Sequence, residues 1–113
     1  MVRKGDIYYA DFEVGVGSEQ SGYRPIVIIQ NDIGNKYSPT TIVAMITKKY
    51  KKPLPTHVMV NEENAGLPIE SIVMLEQIRT IDKRRLGEQI GHMSEKTMKR
   101  IDRAAKCSLD IKM

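Results

Sequence analysis

Over its first 90 residues the chain sets apolar and polar positions with a period near two, and over its last 20 the spacing becomes helical. Asp6-Ile7-Tyr8-Tyr9-Ala10-Asp11-Phe12 reads as a first strand. Gly15, Gly17 and Gly22 then mark a polar loop that holds Ser18-Glu19-Gln20-Ser21. Residues 23–30 contain the β-branched run Ile26-Val27-Ile28-Ile29, too short for a helix and suited to a buried strand. Residues 31–40, with Gly34 and Pro39, read as a connector. Residues 41–47 form another buried strand around Ile42-Val43-Ala44-Met45-Ile46. A basic loop closed by Pro53 and Pro55 leads to a short strand at 56–60. A turn region at 61–68 with Gly66, a longer strand at 71–81 and a final strand at 85–92 follow.

The period then changes. Ser94 suits an N-cap, Glu95 suits the positive end of a helix, and Met98, Ile101, Ala105 and Leu109 recur at helical spacing. The pattern predicts an amphipathic helix over 94–109, its Met98, Ile101 and Leu109 stripe committed to packing and its Lys99, Arg100, Arg103 and Lys106 to solvent. Several short strands and one helix predict a mainly β fold with α decoration, a small and partly closed barrel. No repeat or long linker divides it, so residues 1–113 are expected to form a single domain.

Composition narrows the chemistry. One Cys excludes an internal disulfide framework and a zinc site built from several thiolates, and two distant His complete no metal motif. No apolar run approaches the ~20 residues a membrane span needs, and no signal-peptide core follows Met1. A cytoplasmic protein without a metal, a cofactor or a membrane partner is expected. Charge is uneven: residues 1–47 carry a net −1 and residues 48–113 a net +5. The clusters Lys48-Lys49-Tyr50-Lys51-Lys52 and Lys83-Arg84-Arg85 suit a polyanion, or else a solvated surface.

Strands 23–30 and 41–47 are sequential and joined by a short connector, so they are expected to pair antiparallel. The start of one then lies beside the end of the other. If Arg24 and Thr47 stand directly opposite, they share a face and converge at one rim of the barrel; a slip of one residue separates them. Pro25 biases Arg24 toward an extended backbone.

Those residues belong to a familiar set. Gly5-Asp6-Ile7-Tyr8, Gly17-Ser18-Glu19-Gln20 before Arg24-Pro25, Gln30-Asn31-Asp32, Pro55-Thr56-His57 and Leu75-Glu76-Gln77-Ile78-Arg79-Thr80-Ile81-Asp82 together resemble the MazF/PemK/Kid family of toxin–antitoxin ribonucleases. The resemblance runs in family order from about residue 2 to 110 and looks most like the MazF branch of Gram-positive bacteria. Only the loop at 48–53 looks individual.

The resemblance implies an SH3-like barrel, a homodimer, and metal-independent cutting of single-stranded RNA, chiefly mRNA, at short sequences. It places the catalytic Arg on Arg24 and the catalytic Thr on Thr47. It places RNA contacts on Ser18, Glu19 and Gln20 in a loop that closes over the strand, and on Leu54, Thr56, His57 and Gln77. The implied protein partner is a small MazE-like antitoxin whose tail occupies the same groove; no DNA is expected to bind the toxin alone. RNA carries its own nucleophile in the 2′-hydroxyl, so a guanidinium and a hydroxyl that steady the phosphate suffice. A 2′,3′-cyclic phosphate and a 5′-hydroxyl are the expected ends.

His57 follows Pro55-Thr56 at a strand start and reads as a base contact, an acid–base group or a strand cap. Gln77 is expected at the groove, Arg79 in the structure, and His92 and Cys107 in structural or surface roles. Asp6 is a turn acid placed to hydrogen-bond the barrel backbone. Two rivals stand against the ribonuclease: a basic barrel that binds RNA without cutting it, and a CcdB-like gyrase poison. The second depends on a Trp-Gly-Ile ending, whereas this chain ends Asp110-Ile111-Lys112-Met113 and has no Trp.

Overall fold

A computed structural model describes residues 1–12, 17, 22–49 and 52–112. Among these described residues, six strands and two helices follow one another: β1 (Asp6–Phe12), β2 (Gly22–Ile28), α1 (Asp32–Tyr37), β3 (Thr40–Lys48), β4 (His57–Val60), β5 (Ser71–Asp82), β6 (Leu86–His92) and α2 (Glu95–Ser108). The strands form one antiparallel sheet in the order β4-β5-β3-β2-β1-β6. All six predicted strands are present within a residue or two. The largest difference is at the end of β2, where Ile29 and Gln30 leave the strand but still donate their amides to the Ile42 carbonyl.

Alternation sends the central strands' apolar side chains to two clusters. Ile7, Val27, Ala44, Ile46, Val73 and Leu75 pack with Ile101 and Ala104 of α2. Ala10, Phe12, Ile26, Ile28, Val43, Met45, Ile72 and Met74 form the other, which contains no helix residue. Its members are almost fully buried, so the strands themselves enclose them. This is the curl of the small barrel the pattern predicts.

The seam between the two ends of the sheet is made by backbone contact. β4 and β6 are the outermost strands, and a 3-10 turn at Glu63–Ala65 after β4 packs on β6. A Cβ added at Gly66 would stand 1.8 Å from the Ile90 carbonyl oxygen, and one at Gly91 would stand 2.2 Å from that of Ala65. Gly66 also has a left-handed φ of 70°. Only glycine allows so close an approach there.

The connector at 31–40 is not wholly irregular: residues 32–37 form α1. Asn31 caps it, its side-chain oxygen accepting from the Gly34 amide at 2.8 Å, with Asp32 in the first turn and Lys36 in the last. Gly34 inside the segment hid that helix from a propensity reading. Asn35 is buried and links the helix to Gln30 and Thr41.

Ser94 caps α2 as expected, accepting from the Thr97 amide at 3.2 Å. Glu62 doubles that cap: it accepts from the Ser94 amide at 2.8 Å and from the Thr97 hydroxyl. Burial raises the Glu62 carboxyl's pKa, but these hydrogen bonds outweigh it and hold the group below its ordinary value. The helix buries Thr97, Ile101 and Ala104. Leu109, placed in the packing stripe by spacing, is 60% exposed, because it lies past the last helical turn.

Candidate functional site

The β2–β3 ladder runs through Ile28↔Val43 and Val27↔Ala44 to Ile26↔Met45. Two residues further along each strand, past the last paired positions, stand Arg24 and Thr47. Both line one cleft of about 350 Å3, with Tyr9, Pro25, Ile46 and Lys48 on its sheet side and the segment Leu67, Pro68 and Ile69 across from them. Arg24 is exposed and Thr47 half-buried. Thr47 is held on its other side by Ile72 of β5. The guanidinium supplies a fixed charge and several donors, and the hydroxyl one more donor, so the pair suits a tetrahedral anion.

The second group of candidates lies two strands away. His57 pairs with Met74 on β5, and Met74 with Met45 on β3, so β4 stands about 10 Å from β3. The Leu54 amide donates to His57 Nδ1 at 3.0 Å, which makes Nδ1 an acceptor and puts the proton on Nε2. Nε2 donates to Glu76 Oε2 at 2.9 Å, and the Thr56 hydroxyl donates to Glu76 Oε1 at 2.9 Å. The His57 side chain is only 3% exposed. Both its nitrogens are engaged, so it ties the loop to β5 rather than presenting a free base. Leu54 and Thr56 remain at the surface, Leu54 51% exposed.

Sequence reasoning missed the centre of that network. Glu76 is its hub. Burial raises the carboxyl's pKa, but the hydrogen bonds from His57 and Thr56 prevail and hold it below its ordinary value. A bulge presents it: Ala44 pairs with Ile78 and Met45 with Met74, so Leu75, Glu76 and Gln77 have no partner on β3. The Leu75 amide turns to the Thr56 carbonyl at 2.9 Å instead. The one trace in the sequence is the polar pair Glu76-Gln77 inside an apolar strand. Gln77 lies half-buried in the same bulge.

The remaining candidates separate cleanly. Ser18, Glu19 and Gln20 lie outside the described residues. Arg79 packs on the Phe12 ring, 4.7 Å from its centroid, a structural contact. Asp6 is buried and accepts from the Arg3 amide at 3.0 Å, and His92 Nδ1 lies 2.7 Å from its other oxygen. Cys107 is free and exposed. Part of the basic excess is already paired: Lys49 with Glu70 at 3.1 Å and Arg84 with Asp82 at 3.0 Å. Lys48 is the member that stands at the cleft.

A larger surface cavity, about 560 Å3, lies elsewhere, between the N-terminal segment and α2. Lys4 and Asp102 pair there at 2.9 Å, and Arg24, Thr47, Leu54, Thr56, His57 and Gln77 do not line it. Among the described residues no group of three His, Cys, Asp or Glu gathers as a metal-ligand set, and no helix is long and apolar enough to cross a membrane.

A curled antiparallel sheet with a C-terminal helix, carrying an arginine and a threonine in one strand-end cleft, defines a small protein of the SH3-like barrel class. The family model for the PemK-like, MazF-like toxin of type II toxin–antitoxin systems matches residues 3–109, and the chain belongs to that family. It is 50% identical over 110 residues to Endoribonuclease EndoA of Bacillus subtilis (strain 168), covering 96% of this chain and 95% of that relative. Two solved structures share the fold. One is an endoribonuclease in complex with its cognate antitoxin from mycobacterial species, with TM-score 0.82 and 22% identity over 100% of this chain and 99% of that one. The other is MazF from Deinococcus radiodurans, with TM-score 0.82 and 19% identity over 97% of each chain.

Proposed function

We propose that this chain is a toxin endoribonuclease that cuts single-stranded RNA, chiefly mRNA, without a metal, and that Arg24 and Thr47 carry the reaction. The observation behind this reading is the shared cleft, which Arg24 and Thr47 both line from the ends of two neighbouring strands. An RNA phosphodiester needs its 2′-oxygen in line with the departing 5′-oxygen and needs its developing charge held. Arg24 bridges the non-bridging oxygens and Thr47 donates to one of them. The 2′-oxygen bonds to phosphorus as the bond to the 5′-oxygen breaks, leaving a 2′,3′-cyclic phosphate and a 5′-hydroxyl. The proton lost from the 2′-hydroxyl is balanced by the one gained at the 5′-oxygen.

Leu54, Thr56 and Gln77 serve as RNA contacts beyond the cleft, and His57 acts through Glu76 to set the loop that carries Thr56. Ser18, Glu19 and Gln20 are proposed to approach the same strand. The working form is a cytoplasmic homodimer neutralised by a MazE-like antitoxin. The name of EndoA and the antitoxin-bound mycobacterial relative support the activity and the partner.

Incubation with mixed-sequence single-stranded RNA in EDTA, comparing wild type with Arg24→Ala, tests the reading. Discrete cuts with cyclic-phosphate ends, lost in the variant, are expected. Binding without fragments across a broad RNA pool would leave a non-catalytic RNA-binding barrel, with Arg24 as a phosphate anchor.

A further inference from the structure

A phosphate site fixes position but carries no information about bases. Beside Arg24 stands an aromatic pair with no part in the chemistry above. Tyr9 of β1 lines the cleft, and Tyr23, which directly precedes Arg24, stacks on it with ring centroids 5.0 Å apart and planes 16° from parallel. The β1–β2 register pairs Asp11 with Tyr23 and Tyr9 with Pro25, so the two rings meet diagonally on one face.

The Tyr23 ring extends across β1 towards β6. A Cβ added at Gly87 would stand 2.3 Å from the Tyr23 hydroxyl oxygen and 3.1 Å from the ring carbon that bears it. The ring is thus backed by Tyr9 and seated over a glycine at its phenol end. It is still 57% exposed. An aromatic ring that merely seals a sheet is itself covered, whereas this one is held in place with area left open. A ring so fixed loses little conformational freedom when another π-face settles on it.

Successive side chains of a strand point to opposite sides, so Tyr23 and Arg24 flank the end of β2. A nucleotide laid across that strand end meets the guanidinium with its phosphate and the ring with its base. We propose that Tyr23, backed by Tyr9, is a stacking platform for an unpaired nucleobase of single-stranded RNA next to the phosphate seated at Arg24. The inference rests on the reading of the cleft as an RNA site. Stacking tolerates every base and favours the larger purine face, so Tyr23 positions the strand without reading a base edge.

The probe is a short mixed-sequence RNA carrying 2′-O-methyl groups, which binds but cannot be cut, with the unmodified RNA run in parallel for cleavage. Tyr23→Leu is expected to weaken binding roughly ten-fold, whereas Tyr23→Phe and Tyr23→Trp stay within about two-fold of wild type. Gly87→Ala, which pushes the flexible phenol end aside, is expected to weaken binding like Tyr23→Leu while the melting temperature holds. If wild type binds and cuts RNA and Tyr23→Leu binds within about two-fold of it, the platform falls and the ribonuclease stands. If wild type neither binds nor cuts RNA, the reading of the cleft falls and takes the platform with it.

Discussion

The Thr56 hydroxyl donates to Glu76 Oε1 at 2.9 Å, across 20 positions of sequence, while His57 holds the other carboxylate oxygen. One carboxylate therefore fixes the loop that carries Leu54 and Thr56 onto the bulge that carries Gln77. Its hydrogen bonds favour the ionised form, so its folded-state pKa lies below the ordinary carboxylate value near 4.3. A depressed pKa gives stability that is complete above the unfolded value and is lost as pH falls through the folded one. The difference in melting temperature between wild type and Glu76→Gln is expected to be constant at neutral pH and to shrink as acid protonates the wild-type group. A difference that stays constant into strong acid would remove this role.

Arg24 and Thr47, if they act as one unit on one phosphate, are expected to show coupled losses. Arg24→Ala and Thr47→Ala should each slow single-turnover cleavage by about a hundred-fold or more with the fold intact. The double variant should be about as slow as the slower single one. Losses that multiply would mean independent roles.

The glycine seam gives a stability test. Gly66→Ala and Gly91→Ala drive a methyl group into backbone, at 1.8 and 2.2 Å, and backbone cannot step aside as a flexible side chain can. Each is expected to cost at least roughly 2 kcal/mol in chemical denaturation. Gly22→Ala is the control: its φ of 84° imposes conformational strain, but nothing lies within 4 Å of the added methyl. It should cost about 1 kcal/mol.

The doubled cap of α2 predicts an order of effects. Ser94→Ala removes one acceptor, leaves the Glu62 carboxylate on the Ser94 amide, and should cost about 1 kcal/mol. Glu62→Ala strips partners from the Ser94 amide and from the buried Thr97 hydroxyl together and should cost more. Amide exchange in the first turn of α2 reads the difference directly.

What could be read beforehand follows from the range over which each signal acts. Strand β1 announces itself through alternation, β2 and β3 through short buried apolar runs, and α2 through Ser94 and its spacing, because these are local patterns. Arg24 and Thr47 could be brought to neighbouring strand ends by counting along two adjacent strands, and both line one cleft there. Glu76 could not: its position depends on a bulge set by how β5 meets both β3 and β4, and no short stretch of chain encodes that. For His57 the sequence leaves several roles open, and the engagement of both its nitrogens by Leu54 and Glu76 depends on distant chain segments. The Tyr9–Tyr23 stack escaped for the same reason, since diagonal neighbours depend on register.

β1 pairs with β2 on one side and with β6 at Asp6↔His92 on the other, so its second edge waits for the last strand. Bringing those partners together closes a loop of most of the chain, an entropic toll met before any of their contacts form. Such wiring belongs to slow folders, completing in milliseconds to seconds rather than microseconds. A growing chain cannot finish its barrel until β6 has been made, and the seam at Gly66 and Gly91 cannot close without it. The barrel therefore closes last along the edge where β1 meets β6, after the strands that line the cleft have been made.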